Sequence, residues 1–241
     1  MYCYNCGKEL KKGDKTKEHI PARSLFVGYG DEYKKNRITV PACYKCNNDY
    51  SKIDHAIRDA IGVVNNDVND DNAKELSRKA VKSIISNKNW KNRVSFNFKG
   101  QVESVKFDYN TFKRIVIKDF KGIFYKEFGF PLPDSWRLEI IAEFETNEKL
   151  TKAAIDISSY LDKDIDWSES GHANIFKYKF KTMAVGKNEL IYDSDDLDIA
   201  NNMASIQIYH DKFAFIVMAT RKSFLNAKFR IKEYLNRKKR K

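Results

Sequence analysis

Apolar and polar residues repeat with a period near 3.6 in some stretches of this chain and near two in others. Leu76, Ala80, Val81, Ile84 and Ile85 recur at helical spacing and predict an amphipathic helix over 73–88. VSFNF (94–98) and VESVKFD (102–108) alternate about Lys99-Gly100 and predict a hairpin. Phe112, Ile115, Val116, Phe120, Ile123 and Phe124 mark one face of a long helix running to about residue 128. Asn110 is its expected cap, and Gly129 and Pro131 its stop. Downstream, RLEIIAEF (137–144) reads as a strand and 147–161 as a helix. ANIFKYKF (173–180), ASIQIYH (204–210) and FAFIVMA (213–219) read as strands, the last two joined across Asp211-Lys212. A closing helix is expected from about residue 223, ending in the basic run 237–241.

The first 62 residues have a different pattern. Thr16-Lys17-Glu18-His19-Ile20-Pro21 reads as a short strand that Pro21 turns away. Ile38-Thr39-Val40 is a second strand, and a helix with Ile53, Ala56, Ile57 and Ala60 as its apolar stripe is expected from Cys43 onward. The order strand, loop, strand, helix is a ββα arrangement. VVNNDVNDDN (63–72) has the composition of a linker or exposed loop. The expected class is therefore α+β: a small ββα module over 1–62, then an α+β domain with an antiparallel sheet over 73–241.

Charge and cysteine usage sharpen this picture. The formal net charge of +12 favours a polyanionic partner such as a phosphate backbone, although lysine-rich chains from AT-rich genomes reach the same balance. Cys3, Cys6, Cys43 and Cys46 form two C-x-x-C pairs with none left over, which argues for a shared metal rather than disulfides. Four thiolates suit one tetrahedral zinc ion, and a module of about 60 residues needs such a staple. No run of about 18 apolar residues and no secretory leader pattern occurs, so a cytoplasmic protein with no membrane contact is expected.

The order C-x-x-C, Glu18-His19-Ile20-Pro21, then Val40-Pro41-Ala42-Cys43-x-x-Cys46-Asn47-Asn48 resembles the HNH endonucleases in their zinc-bound ββα-metal form. The likeness is strongest over 3–58. Further on it follows the order of features in a bacterial group with a poorly characterised C-terminal domain. It implies that His19 is the general base that activates water against the scissile phosphate. It also implies that Glu18 and Asn47 hold a catalytic magnesium (or manganese) ion, while the four cysteines hold structural zinc. The pair is Glu-His rather than the commoner Asp-His, and Ile38 stands where the family's middle asparagine falls, with Asn36 close by. The chemistry agrees with these roles: imidazole is a base near neutrality, and oxygen ligands suit a hard divalent ion.

Other residues carry two readings each. His55 lies roughly 12 Å along a helix from Asn47, too far to share its metal. His55 and Arg58 are candidate phosphate contacts, with an ordinary exposed helix face as the alternative. Asn48 either satisfies a loop backbone or touches nucleic acid. Asp49 and Asp54 are expected to be solvated, and His172 and His210 to be structural or at the surface. The basic run 237–241 could grip phosphate or serve as a solubilising tail. The expected activity is hydrolysis of phosphodiester bonds in DNA, as nicks or, from a homodimer, double-strand breaks. The resemblance also suggests phage defence or a mobile element, with the C-terminal domain docking a protein partner. The alternative is a zinc-stabilised module that binds nucleic acid or protein without cleaving it.

Overall fold

A computed structural model describes residues 1–223 apart from 52, 65–69, 89–91, 100–101, 143–147, 186–190, 194–196 and 198–199. The expected closing helix and the basic run 237–241 lie outside the described residues.

Strand β1 (Lys15–Ile20) pairs antiparallel with β2 (Ile38–Cys43), in a register that sets Glu18 opposite Val40, His19 opposite Thr39 and Ile20 opposite Ile38. The loop between them contains two short 3-10 turns, Arg23–Phe26 and Asp31–Lys34. The single helix expected from Cys43 is instead two, α1 (Tyr44–Ser51) and α2 (Asp54–Val64). Of the expected linker, 63–64 close α2, 65–69 lie outside the described residues, and Asp70 caps the next helix by accepting from the Asn72 N–H. That helix, α3 (Asp71–Ser86), crosses α2 closely: a Cβ on Gly62 would come within 2.6 Å of the Ala80 Cβ.

The hairpin β3 (Val94–Phe96) and β4 (Val102–Val105) forms where alternation predicts it. Helix α4 (Tyr109–Phe128) follows, capped by the Asp108 carboxylate rather than by Asn110 and ended by Gly129 at φ 76°. Residue 129 needs that left-handed conformation to turn the chain, which glycine adopts without steric cost. The remaining strands are β5 (Trp136–Ala142), β6 (Ser168–Glu169), β7 (Phe176–Val185), β8 (Ile191–Asp193), β9 (Asn202–Tyr209) and β10 (Phe213–Arg221). They build an antiparallel sheet in the order β5-β10-β9-β7-β6, with β8 on β7. β7 starts later than expected because residues 172–175 form a turn closed by Ile175 N–H to the His172 carbonyl. His210 and Asp211, at φ 51° and 52°, make the tight turn into β10.

The sheet is sandwiched. On β9 and β10, Met203, Tyr209, Phe215, Val217 and Ala219 join one core with Phe112, Ile115 and Phe120 of α4. Ala204, Ile206 and Ile216 join another with Leu161 of α5 (Glu148–Asp164), as a period of two requires. The far side of α4 carries the β1–β2 ribbon. A Cβ on Gly122 would lie 2.3 Å from Ile20, so only glycine lets α4 approach β1 this closely. One apolar core thus runs from Cys3 through Ile20 and Phe120 to Val217.

Within that core lies a charged knot. Lys118 is fully buried, with its Nζ 2.9 Å from Asp54, 3.7 Å from Glu18 and 3.8 Å from Asp119. Asp54 is therefore buried and ion-paired, not solvated as expected. The Tyr209 hydroxyl lies 2.8 Å from Asp119 Oδ2 and 2.7 Å from Gln207 Oε1. One hydroxyl proton cannot serve both acceptors, so the pair is satisfied when Asp119 carries a proton of its own. Burial pushes the Asp119 carboxyl up to about 7 against the pull of Lys118, in accord with that geometry.

Folded Asp119 keeps its proton to about pH 7, whereas the unfolded chain loses it near 4. Stability from this group is therefore complete below pH 4 and is lost as pH rises through 7. Asp119→Asn mimics the protonated form, so its melting temperature relative to wild type should climb by on the order of 5 °C between pH 5 and 8. A difference that stays constant across this range would contradict the assignment.

Candidate metal centre and active site

The cysteines arrive at one point from two local turns. The first is closed by Gly7 N–H to the Cys3 carbonyl, and Tyr4 N–H to the Pro41 carbonyl at 2.9 Å fastens it to β2. The second is the β2–α1 junction, where the Cys46 N–H points at Cys43 Sγ from 3.5 Å. All four sulfurs lie within 4.8 Å of one another, and Cys6 and Cys43 are 3.8 Å apart. Tetrahedral zinc at about 2.3 Å from each sulfur separates them by roughly 3.8 Å. The quartet is placed to hold one structural metal such as zinc.

This centre is oriented from outside. Asn5 Nδ2 donates to Cys46 Sγ at 3.4 Å, and Asn5 Oδ1 accepts from the Tyr50 hydroxyl and from Lys121 Nζ of α4 at 3.1 Å. Partners of this kind hold ligands in place and tune the metal's affinity.

Strand alternation governs the residues expected to do chemistry. Glu18 turns inward with Val40 and Ile20, while His19 turns outward with Thr39. Glu18 is 5% exposed, lies 3.7 Å from Lys118, and accepts through Oε1 from the His19 N–H; its Oε2 is buried without a hydrogen-bond partner. Burial raises its carboxyl, and Lys118 partly offsets this. Asn47 is partly exposed and directly follows Cys46. It lies one turn before Tyr50, whose ring is 5.7 Å from Lys118 Nζ, so helical spacing sets Asn47 on the Glu18 side of α1. Glu18 thus faces the inner side of the ribbon and His19 the outer side, while Asn47 sits on the face of α1 that carries Tyr50.

His19 is half-buried, and its Nδ1 has no hydrogen-bond partner. Burial lowers its pKa to about 4, reinforced by Arg37, Arg23, Lys118 and Lys17. At neutral pH it is an uncharged imidazole among cations. The position that the family gives to asparagine is taken by Ile38, whose N–H donates to Ser170 Oγ at 2.8 Å while Ser170 donates to the Ile20 carbonyl. A serine from the loop before β7 thus buttresses the strand end beside His19.

The other expected contacts divide. Arg58 is buried and grips Asp59, which also accepts from Ser83 of α3 at 2.7 Å. It clamps α2 to α3 and is neither an open phosphate contact nor part of an exposed face. His55 is exposed, with Nδ1 3.1 Å from Arg58 Nη1. Asn48 is exposed, and its carbonyl accepts from the Ser51 hydroxyl. His210 is buried with Nε2 3.0 Å from the Leu25 carbonyl, and His172 packs on Tyr33, both structural as expected. Pattern reading missed Lys118, Arg23, Arg37 and Ser170. Only Lys118 left a signal, since Lys118-Asp119 interrupts an otherwise apolar helix face.

No protein-family model matches this chain, and neither curated proteins nor solved structures give a match. Among the described residues, no helix is long and apolar enough to cross a membrane.

Purified protein should contain one zinc per chain. Stripping it with a chelator should lower the melting temperature by about 10 °C or more, because the metal ties the N-terminal turn to the β2–α1 junction. A metal-free protein of unchanged stability would refute the centre.

Proposed function

We propose that this chain is a metal-dependent HNH-type endonuclease that hydrolyses phosphodiester bonds in DNA, with His19 as general base. The observation that carries this reading is the state of His19. It is a neutral imidazole held in the β1–β2 ribbon, which the four-cysteine centre closes at its other end, with Arg37, Arg23 and Lys17 around it. A neutral imidazole can accept a proton, and a phosphate drawn to these cations would offset the charges that lower its basicity and return it toward the neutral range a general base needs.

The divalent ion of this reading would be held by Glu18 and Asn47. They are oxygen donors, Glu18 on β1 and Asn47 on α1, and among the described residues Glu18 Oε2 is a buried acceptor without a hydrogen-bond partner, so the donor types suit a hard cation. When bound, magnesium or manganese would stabilise charge on the leaving oxygen. His19 accepts the water's proton, Ser170 holds the strand end on which it sits, and zinc fixes the angle between ribbon and α1. One such site cuts one strand; a double-strand break needs two protomers or two sequential nicks.

A second reading, a zinc-stabilised module that binds nucleic acid without cleaving it, is favoured by one observation. Lys118 already neutralises Glu18, on the face of β1 opposite to His19.

Supercoiled plasmid incubated with magnesium separates the two. On the nuclease reading wild type nicks the plasmid, EDTA stops it, and His19→Ala slows it about 10²- to 10⁴-fold with zinc content retained. No product from wild type would leave only the binding reading, and equal product from wild type and His19→Ala would remove His19 as the general base.

A further inference from the structure

The β1–β2 ribbon has an inner face that is buried and an outer face without an acidic residue. Lys17, His19 and Thr39 share that outer face by strand parity, with Arg37 just before β2 begins, while Glu18, Ile20, Ile38 and Val40 turn inward. Arg37 is built into place: its Nε donates to the Lys34 carbonyl at 3.1 Å, and its guanidinium lies 5.2 Å over the Phe26 ring. Phe26 belongs to the 3-10 turn Arg23–Phe26, which begins with Arg23, three residues after β1 ends at Ile20.

Neighbouring cations find carboxylates. Lys34 pairs with Asp31, Arg58 with Asp59 and Lys118 with Asp54. Arg23 and Arg37 have no carboxylate within 4.0 Å among the described residues, and Glu18, the acid nearest in sequence to His19, is turned away. Two guanidinium groups brought together without an acid repel each other, and Arg23 does depress the basicity of Arg37, after burial. A bound anion would relieve this, and guanidinium groups grip phosphate oxygens in pairs.

We propose that Arg23 and Arg37 clamp one backbone phosphate of a nucleic acid on the outer face of the ribbon, beside His19. The clamp adds to the endonuclease reading two positioning residues, and it rests on that reading for the identity of the anion. It orients the phosphodiester so that the bond to be cut faces the imidazole.

The test is binding of a labelled DNA duplex in EDTA, where no cleavage occurs, across a salt series. Each phosphate contact contributes about 0.9 to the slope of log affinity against log salt. Arg23→Gln, at an exposed position, should weaken binding about tenfold and lower that slope by about 0.9. Arg23→Lys should restore the slope but only part of the affinity, because it returns the charge without the fork. Lys79→Gln, on exposed α3, is the control and should leave the slope within error of wild type. An Arg23→Gln protein that melts like wild type and binds with an unchanged slope would overturn the clamp. So would inorganic phosphate raising the melting temperature through Arg23 while duplex DNA does not bind, since the site would then be for a free anion. Cleavage is scored separately. Arginine-dependent binding without any nicking would count against the nuclease reading alone. Nicking with an arginine-independent slope would count against the clamp alone.

Discussion

A buried ammonium ties the ribbon, α2 and the central sheet together inside the apolar core that they share. Lys118 reaches Glu18 of the ribbon, Asp54 at the start of α2 and Asp119 of its own helix, and Asp119 passes the connection to Tyr209 of the central sheet. Burying a lysine is expensive unless carboxylates surround it, and burying the carboxylates is equally expensive without the lysine. The arrangement therefore holds only when ribbon, helices and sheet are all assembled. The cysteine turns and the ribbon thereby share the rigidity of the largest core. The proton on Asp119 fits the same account, because three ionised carboxylates around one ammonium would leave an excess of buried negative charge.

The consequences reach the candidate site through strand alternation. Anchoring Glu18 inward obliges His19 to face outward, since neighbours on a strand point to opposite sides. The four-cysteine cluster lies where α1 leaves the ribbon, Gly122 allows α4 to press against Ile20, and Ser170 ties the last pair of the strands. Each constraint acts on backbone, so the imidazole is aimed by the scaffold and not by hydrogen bonds of its own. The cost is that Glu18 and His19 work from different faces of β1. A carboxylate occupied by Lys118 is available to a divalent ion only through its second oxygen.

What could be read from sequence alone follows the range of the interaction. The four cysteines, the two strands of the ribbon, the hairpin and α4 were legible because metal spacing, period-two alternation and helical periodicity are local. The candidate residues Glu18, His19 and Asn47 stood out from a motif, but their orientation did not: alternation is visible in a sequence, whereas which face becomes inner depends on Lys118, 100 positions further along. Asp54 and Arg58 looked like solvent-facing charges because a pattern assigns charge to the surface, and only the partners Lys118 and Asp59 explain their burial. The interruption of the first long helix near Ile53 has no glycine or proline to announce it. Arg23 and Arg37 lie outside any periodic element, and the strand register and the turn after Pro21 bring them beside His19.

The most direct test of this account is equilibrium unfolding of Lys118→Met at neutral pH, followed at once by circular dichroism of the sheet and by release of zinc to a chromogenic chelator. Leaving Asp54 and Glu18 buried without their cation should lower stability by about 3–5 kcal/mol. In wild type the two signals should change together, because ribbon and sheet share the knot. In the variant, zinc release should precede loss of the sheet. A variant as stable as wild type, with both signals still coincident, would show that ribbon and sheet are held together by something other than Lys118.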